Sequence, residues 1–218
     1  MISNMTKTIK PKVISQQELD GKLTIVSGSS RCGKTEKTFR LVRPFETVFV
    51  WDIEAQWCKR KGYKKITSLV DLKKIVRAGT RGRYAYVSAG NIKAEFELFC
   101  MCVSYYGNFY GVCAVVAEEL GDVTSIAKAG DCWGMLVRRG LKRGINIFAI
   151  SQRWQEADKT AFGNATDYYI FMQSSLDDAR YMSKKTSIDL ERIWSLNKLE
   201  YLHFQKEGKL LEGGKVTF

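Results

Sequence analysis

The chain has 218 residues, enough for one domain with a sizeable hydrophobic core. Its 35 lysines and arginines outnumber 23 acidic residues and give a formal charge of +12, which suits a polyanionic partner, either nucleic acid or an anionic membrane surface. The alternative is a soluble enzyme that is merely basic. No stretch approaches the roughly 18 to 20 apolar residues that a membrane-spanning helix requires.

The N-terminal segment is polar and basic, and it lacks the apolar stretch of a signal peptide. We therefore expect a basic N-terminal arm over residues 1–20 and a single domain over residues 21–218. The chain's one histidine, His203, is expected to pack in a terminal strand.

The six cysteines form no C-x-x-C pair, which disfavours a structural zinc site and favours reduced thiols. Cys100, Cys102 and Cys113 lie in apolar runs, so we expect them in the core.

Apolar runs alternate with helical patterns through the first half of the chain. The pattern predicts strand 22–28, helix 34–42, strand 47–52, short strand 64–69 and helix 71–79. Pro44 stops the first helix, and the first strand runs directly into a glycine-rich loop.

The same alternation continues to the C-terminus. It predicts strand 83–89, helix 93–106, strand 111–119, helix 124–139, strands 145–152 and 167–173, helix 175–185 and a β-hairpin over 200–218. Strand 111–119 is the most apolar and is expected to be central. The pattern indicates an α/β fold with a mostly parallel sheet and helices on both faces, in which ligands bind at the carboxyl ends of the strands.

The loop after the first strand reads GSSRCGKT and matches the pattern G-x-x-x-x-G-K-[ST]. Such a loop wraps its backbone N–H groups around phosphate oxygens, while the lysine reaches the β- and γ-phosphates and the threonine hydroxyl binds Mg²⁺. The pattern therefore predicts ATP and Mg²⁺ as ligands; the alternative is a glycine-rich turn without a ligand. The predicted binding residues are Gly28, Ser29, Ser30, Arg31, Cys32, Gly33, Lys34 and Thr35.

Cys32 also lies beside a predicted helix N-terminus, where a thiolate is favoured. We therefore hypothesise that peroxide inactivates the protein through this residue.

Three further strand ends carry polar side chains. Glu118 and Glu119 follow the most apolar strand, and we assign Glu118 to the Mg²⁺ shell and Glu119 to water activation; the alternative is a solvated strand end. Gln152 ends another strand, where it can sense the γ-phosphate or merely terminate the strand. Asp52 can help to hold the metal's water shell or can cap the following helix.

An arginine-rich segment, RRGLKRG, spans residues 138–144. Hydrolytic P-loop enzymes often use an arginine to neutralise transition-state charge. We favour Arg143 or Arg139 as a finger offered to a neighbouring subunit. The alternatives are a solvated face and a contact with DNA phosphates.

The segments GSSRCGKT, AVVAEEL and RRGLKRGINIFAISQRW together resemble the FtsK–HerA branch of P-loop ATPases, over roughly residues 22–173. Within that branch, the chain looks like the genome-packaging ATPases of tailless icosahedral viruses with an internal membrane. The resemblance implies a RecA/FtsK-like P-loop fold. It also implies Lys34 and Thr35 at ATP–Mg²⁺, an acidic pair at 118–119 and a sensor at Gln152.

The same resemblance implies a homo-oligomeric ring that moves double-stranded DNA through its centre, docked on capsid vertex proteins. Its location would be the packaging vertex of the virion and the host cytoplasm. One departure is that the family's acidic pair usually begins with Asp, where this chain has Glu118.

A second basic segment supports a DNA partner. Residues 59–83 contain ten lysines and arginines and a single acid. Together with Trp57, Tyr63 and Tyr84, the segment suggests a surface that tracks phosphates. The alternative is a solvated outer face.

Other classes of protein remain open at this point. A HerA-like DNA-processing helicase shares every site residue but generally carries an extra β-barrel domain. A P-loop small-molecule kinase needs no basic DNA surface, and a binding protein with a relict P-loop needs no acidic pair. Residues 197–200, NKLE, approximate the guanine-reading N-K-x-D of GTPases, which we interpret as coincidence.

Overall fold

The computed structural model describes residues 20–126, 129–206 and 210–217, without the side chain of residue 211. Within this part of the chain, nine strands form one sheet. They are β1 (Leu23–Ser27), β2 (Val48–Trp51), β3 (Tyr63–Ile66), β4 (Arg83–Tyr86), β5 (Cys113–Ala117), β6 (Ile145–Ser151), β7 (Asp167–Phe171), β8 (Glu200–Gln205) and β9 (Leu210–Lys215). The predicted arm lies outside the described residues apart from Asp20, so the predicted domain division stays a prediction.

The strands are ordered β3-β4-β2-β5-β6-β1-β7-β8-β9. Strands β1 to β7 are parallel, whereas β8 pairs antiparallel with β7 and β9 pairs antiparallel with β8. The predicted α/β fold, its mostly parallel sheet and its C-terminal hairpin are confirmed. Strand β5 is fully buried inside the sheet, although the middle position of the nine belongs to β6.

Eight α-helices occur in the described residues. They are α1 (Lys34–Leu41), α2 (Leu69–Arg77), α3 (Ile92–Tyr110), α4 (Leu120–Val123), α5 (Asp131–Met135), α6 (Thr160–Asn164), α7 (Leu176–Thr186) and α8 (Leu190–Trp194). Alternate strand residues point to opposite faces and build two cores. Helices α2 to α8 cover one core, and α1 packs on the other.

The prediction of one helix over 124–139 is wrong. This segment contains short α5, a π-helical turn over Leu136–Gly140 and a 3-10 turn over Leu141–Arg143, while α4 has already ended at Val123. Glycines at 121, 130, 134 and 140 give the segment low helix propensity, so tertiary packing decides its path. Trp133 and Leu136 are fully buried in the first core and fix that path.

Three cysteines expected in the core, Cys100, Cys102 and Cys113, are buried as predicted. His203 lies in β8 and stacks on Tyr169 with 4.1 Å between ring centroids, which confirms its expected place in a terminal strand. No helix among the described residues is long and apolar enough to cross a membrane.

The sheet order brings the predicted site residues to one edge. Strand β6 lies between β1 and β5, so the glycine-rich loop, the acidic pair and Gln152 all follow the carboxyl ends of neighbouring strands. Residues 138–144 precede β6 and therefore lie at the opposite edge. Seven residues of β6 separate the two edges by roughly 20 Å.

Candidate nucleotide site

The loop over residues 28–33 joins β1 to α1 and is closely packed. Gly28 has φ 152°, and a Cβ there would lie 2.6 Å from the Cβ of Phe171 and 2.8 Å from Cys32 Sγ. Gly33 has φ 104° and directly precedes α1. The N–H of Ser29 donates to the carbonyl of Met172 (2.7 Å) and ties the loop to the end of β7. Glycine is therefore required at both ends of the loop.

The Lys34 side chain lies across this loop. Its Nζ donates to the carbonyls of Gly28 (2.8 Å) and Ser29 (2.7 Å), and the residue is only 6% exposed. Burial lowers the pKa of Lys34, and the neighbouring Glu119 and Glu118 carboxylates oppose that shift. The ammonium is thus held beside the loop amides and close to the acidic pair.

Glu118 is buried directly behind the loop. Its Oε1 accepts hydrogen bonds from Trp57 Nε1 (2.7 Å) and from Thr35 Oγ1 (3.2 Å). Burial raises the pKa of Glu118 to about 7, with repulsion from Asp52 and Glu119 acting in the same direction and the two hydrogen bonds opposing it. The carboxylate and the Thr35 hydroxyl are therefore adjacent oxygen ligands of the kind that Mg²⁺ prefers.

Glu119 faces the cleft from an unusual backbone conformation. Its φ of 45° places it in the left-handed region, which costs free energy for a residue with a Cβ. Its Oε1 accepts a hydrogen bond from Gln152 Nε2 at 2.8 Å, across the boundary between β5 and β6. The structure therefore joins the predicted water-activating acid to the predicted sensor.

Asp52 caps the turn that follows β2. Its Oδ1 accepts from the backbone N–H groups of Gln56 (2.8 Å) and Trp57 (3.1 Å), and its Oδ2 accepts from Cys58 N–H (2.8 Å). The fully buried carboxylate thereby fixes a 3-10 turn over Trp57–Lys59. Of the two interpretations offered for Asp52, this geometry supports capping, and the residue acts on the site through the turn.

Trp57 is one of the site residues that the sequence did not predict, because the basic segment beside it suggested a surface position. Its side chain is fully buried against Phe39 and Tyr63, with ring centroids 5.8 and 5.4 Å away. Tyr63 and Tyr84 are also buried. The proposed aromatic part of the phosphate-tracking surface over 59–83 is therefore wrong, although most of its lysines and arginines are exposed.

The predicted arginine finger is not near this site in the same chain. Arg139 is exposed and Arg143 is half-buried, and both precede β6 at the opposite edge of the sheet. Two arginines line the cleft, Arg31 from the glycine-rich loop and Arg60. Arg60 Nη1 lies 2.9 Å from Glu36 Oε2, and its guanidinium stacks 4.2 Å from the Phe39 ring.

The cleft over the loop has a volume of about 610 Å³. Glu54, Gln56 and Arg60 form its wall on the β2 side, and Lys198 and Leu199 form its wall on the β8 side. Sequence patterns gave no signal for the wall on the β8 side, because that wall depends on contacts between distant parts of the chain.

The GTPase-like residues 197–200 lie beside this cleft. Glu200 Oε2 accepts hydrogen bonds from both the backbone N–H (2.9 Å) and the side-chain amide (3.1 Å) of Asn197. The carboxylate is therefore bonded to its own loop, an arrangement that supports our interpretation of NKLE as coincidence.

The hypothesis that Cys32 is an oxidation-sensitive thiolate does not agree with the structure. The residue is fully buried, and burial raises the pKa of its thiol despite the opposing effect of Lys34. Desolvation outweighs the favourable position at a helix N-terminus, so Cys32 is expected to be an unreactive thiol.

The residues of the cleft fit a magnesium nucleotide. The tightly curved loop has no room for a Cβ at Gly28, Lys34 provides a cation beside it, and Thr35 and Glu118 provide oxygen ligands. This combination of backbone cradle, cation and hard oxygen donors suits a triphosphate with its divalent ion.

Comparisons with known proteins agree with this fold. No family model matches the chain. Protein P9 of Pseudoalteromonas phage PM2 is 24% identical over 186 residues, which cover 84% of this chain and 82% of P9. The genome packaging NTPase B204 from Sulfolobus turreted icosahedral virus 2, in complex with AMPPCP, has a TM-score of 0.75 at 13% identity and covers 91% of this chain and 99% of its own.

A bacterial conjugative coupling protein, TrwBdeltaN70, has a TM-score of 0.59 at 8% identity, with coverage of 91% of this chain and 86% of its own. The predicted P-loop fold is confirmed, and in fold the chain resembles a viral genome packaging NTPase and a conjugative coupling protein.

Proposed function

We propose that the chain is an ATPase that translocates double-stranded DNA and packages a viral genome. One observation carries the ATPase part of the proposal: the loop with Lys34, the acidic pair and Gln152 meet at the carboxyl ends of three adjacent strands, and Gln152 is bonded to Glu119. The alternative, a glycine-rich turn without a ligand, would not require these polar side chains to lie together.

The residues divide the chemistry between them. Backbone N–H groups of 28–33 and the Lys34 ammonium hold the β- and γ-phosphates. Thr35 and Glu118 would hold Mg²⁺, which neutralises charge on the phosphates when it is bound. Glu119 orients a water molecule and accepts its proton as the water oxygen attacks the γ-phosphorus. The bond from that phosphorus to the β–γ bridging oxygen breaks, and ADP and inorganic phosphate leave.

Gln152 is placed to respond to this step. Its amide donates to Glu119 Oε1, so a change in the position or charge of that carboxylate alters the bond. Because Gln152 follows β6, a shift there is passed into the strand between β1 and β5. In the proposed motor, this is how hydrolysis is reported to the rest of the fold.

The DNA and capsid parts of the proposal are supported by likeness and charge. B204 is described as a genome packaging NTPase, and the chain is similar to it over nearly its whole length. A charge of +12 suits a partner held through its phosphates. We propose a homo-oligomeric ring at a capsid vertex, located in the virion and in the host cytoplasm. A HerA-like translocase is the nearest rival, because it shares the site.

Single substitutions test the assignment of the site. Glu119→Gln keeps the size of the side chain but removes the proton acceptor, so we expect ATP binding to persist and hydrolysis to fall about 10²-fold or more. Lys34→Ala is expected to weaken binding of ATP and to abolish turnover. Glu46→Gln, an exposed acid paired with Arg81 far from the cleft, is the control. Normal turnover by Glu119→Gln would assign water activation to another group.

A further inference from the structure

The loop that precedes β8, residues 197–199, lies directly against the P-loop. A Cβ at Gly33 would lie 3.3 Å from Leu199 Cδ2 and 3.3 Å from Val216 Cγ2. Leu199 has a left-handed φ of 71°, and its carbonyl accepts a hydrogen bond from Val216 N–H at 2.9 Å. The segment that follows β9 thus holds Leu199 in a backbone conformation that costs free energy. The half-buried side chain of Leu199 borders the cleft.

The positions of the acids define the direction of a bound triphosphate. Glu118 and Glu119 follow β5 and Gln152 follows β6, so the γ-phosphate end lies on that side of β1. The other neighbour of β1 is β7, followed by β8. Strand β8 is antiparallel, so its first residue lies at the same edge as the P-loop. The nucleoside end of the ligand is therefore directed toward the loop before β8.

The opposite wall is less suited to a nucleoside. Arg60 is paired with Glu36 and stacked on Phe39, and Trp57 beside it is bonded to Glu118. Glu54 and Gln56 add exposed polar groups. This wall thus adjoins the metal end of the site and offers charge, whereas the β8 wall offers an apolar side chain.

We propose that Leu199 and Lys198 form the nucleoside subsite of the cleft. Leu199 contacts the purine or ribose with its apolar side chain, backed by Val216 and Phe171, which also pack near Gly33. The exposed Lys198 covers the outer side with its aliphatic stem. The inference rests on the proposed nucleotide site and adds the residues that distinguish a nucleotide from bare polyphosphate.

Calorimetric titration with ATP and with inorganic tripolyphosphate, both with Mg²⁺, tests this assignment. Leu199→Ala is expected to weaken ATP binding about tenfold and to change tripolyphosphate binding by less than about twofold, because one apolar contact is lost. Leu199→Met should retain most of the affinity for ATP. Lys198→Ala is expected to weaken ATP by a smaller factor, about threefold. Leu210→Ala and Lys206→Ala, at the other end of the hairpin, are the controls.

Three results would have distinct meanings. Equal weakening of both ligands by Leu199→Ala would show that Leu199 only supports the P-loop and would overturn the subsite. Selective weakening of ATP by Arg60→Ala, with Leu199→Ala unchanged, would place the nucleoside on the opposite wall and would overturn it as well. Failure of the wild type to bind either ligand would instead refute the proposed nucleotide site itself.

Discussion

The indole of Trp57 affects both the charge and the position of the Glu118 carboxylate. Its Nε1 donates the shorter of the two hydrogen bonds received by Glu118, at 2.7 Å. Burial disfavours a charged carboxylate, and a donor at this distance partly offsets that cost. The position of Glu118 beside Thr35 therefore depends on a side chain from the turn after β2.

Trp57→Phe removes this donor and keeps an aromatic ring in the core. We expect kcat for ATP hydrolysis to fall about tenfold and the Mg²⁺ concentration for half-maximal activity to rise, because Glu118 loses its orientation. The matched control is Trp51→Phe, since Trp51 is also fully buried and its Nε1 has no hydrogen-bond partner among the described residues. Equal effects of the two substitutions on Mg²⁺ dependence would mean that only packing matters.

Asp52→Ala separates the two interpretations of that residue. Three backbone N–H groups lose their acceptor, so we expect the free energy of unfolding to fall by about 3 kcal/mol in denaturant titrations. Unchanged stability combined with an altered Mg²⁺ requirement would favour the metal-shell interpretation.

At the scale of elements, a side-chain contact between Asp167 on β7 and His203 on β8 links the C-terminal hairpin to the parallel sheet. His203 Nε2 lies 3.1 Å from Asp167 Oδ1, and Thr166 Oγ1 donates to Asp167 Oδ2 at 2.9 Å. Burial alone would raise the pKa of Asp167, but these hydrogen bonds hold it below its ordinary value. The ionised carboxylate therefore stabilises the junction of β7 and β8.

A depressed carboxyl pKa stabilises the fold above the unfolded pKa near 4, and the contribution is lost as the pH falls through the folded value. We expect Asp167→Asn to be about 1 kcal/mol less stable than the wild type at pH 7, and the difference to shrink below about pH 4. Denaturant titrations from pH 3 to 7 measure this difference. The control is Asp71→Asn, because the Asp71 side chain is exposed on α2. A stability difference between Asp167→Asn and the wild type that did not change with pH would contradict this account.

Local patterns predicted the elements whose signal is contiguous. The strand, glycine loop and helix around Lys34 follow from one motif, and Glu118 and Gln152 follow from apolar runs that end in polar residues. The prediction of one helix over 124–139 was wrong because glycines weaken the helical pattern there and packing around Trp133 decides the path of the chain. The bond from Trp57 to Glu118 spans 61 positions and depends on strand order, which no local pattern contains.

At the scale of the whole molecule, the fold places the arginine-rich segment 138–144 far from the nucleotide site of the same chain. Arg139 and Arg143 lie at the edge opposite the nucleotide, so neither reaches the site of its own chain in this fold. A finger from this segment would therefore have to come from a neighbouring subunit, as in the ring that we propose.

Mixing two inactive variants tests this arrangement. Combining Arg143→Ala with Lys34→Ala should restore part of the hydrolysis, because an intact Lys34 site then meets an intact Arg143 from the other chain. The same experiment with Arg139→Ala identifies which arginine acts. Absence of rescue in both mixtures, with ring assembly verified by light scattering, would remove support for a finger in this segment.

The central claim is that ATP hydrolysis by this chain is coupled to duplex DNA. The direct measurement is the steady-state rate of ATP hydrolysis by the purified protein, with and without long duplex DNA, across a series of salt concentrations. We predict strong stimulation by DNA that fades as salt rises, since a motor that holds phosphates loses affinity when counterions compete. Hydrolysis at the same rate with and without DNA, in an assembled ring, would contradict the account.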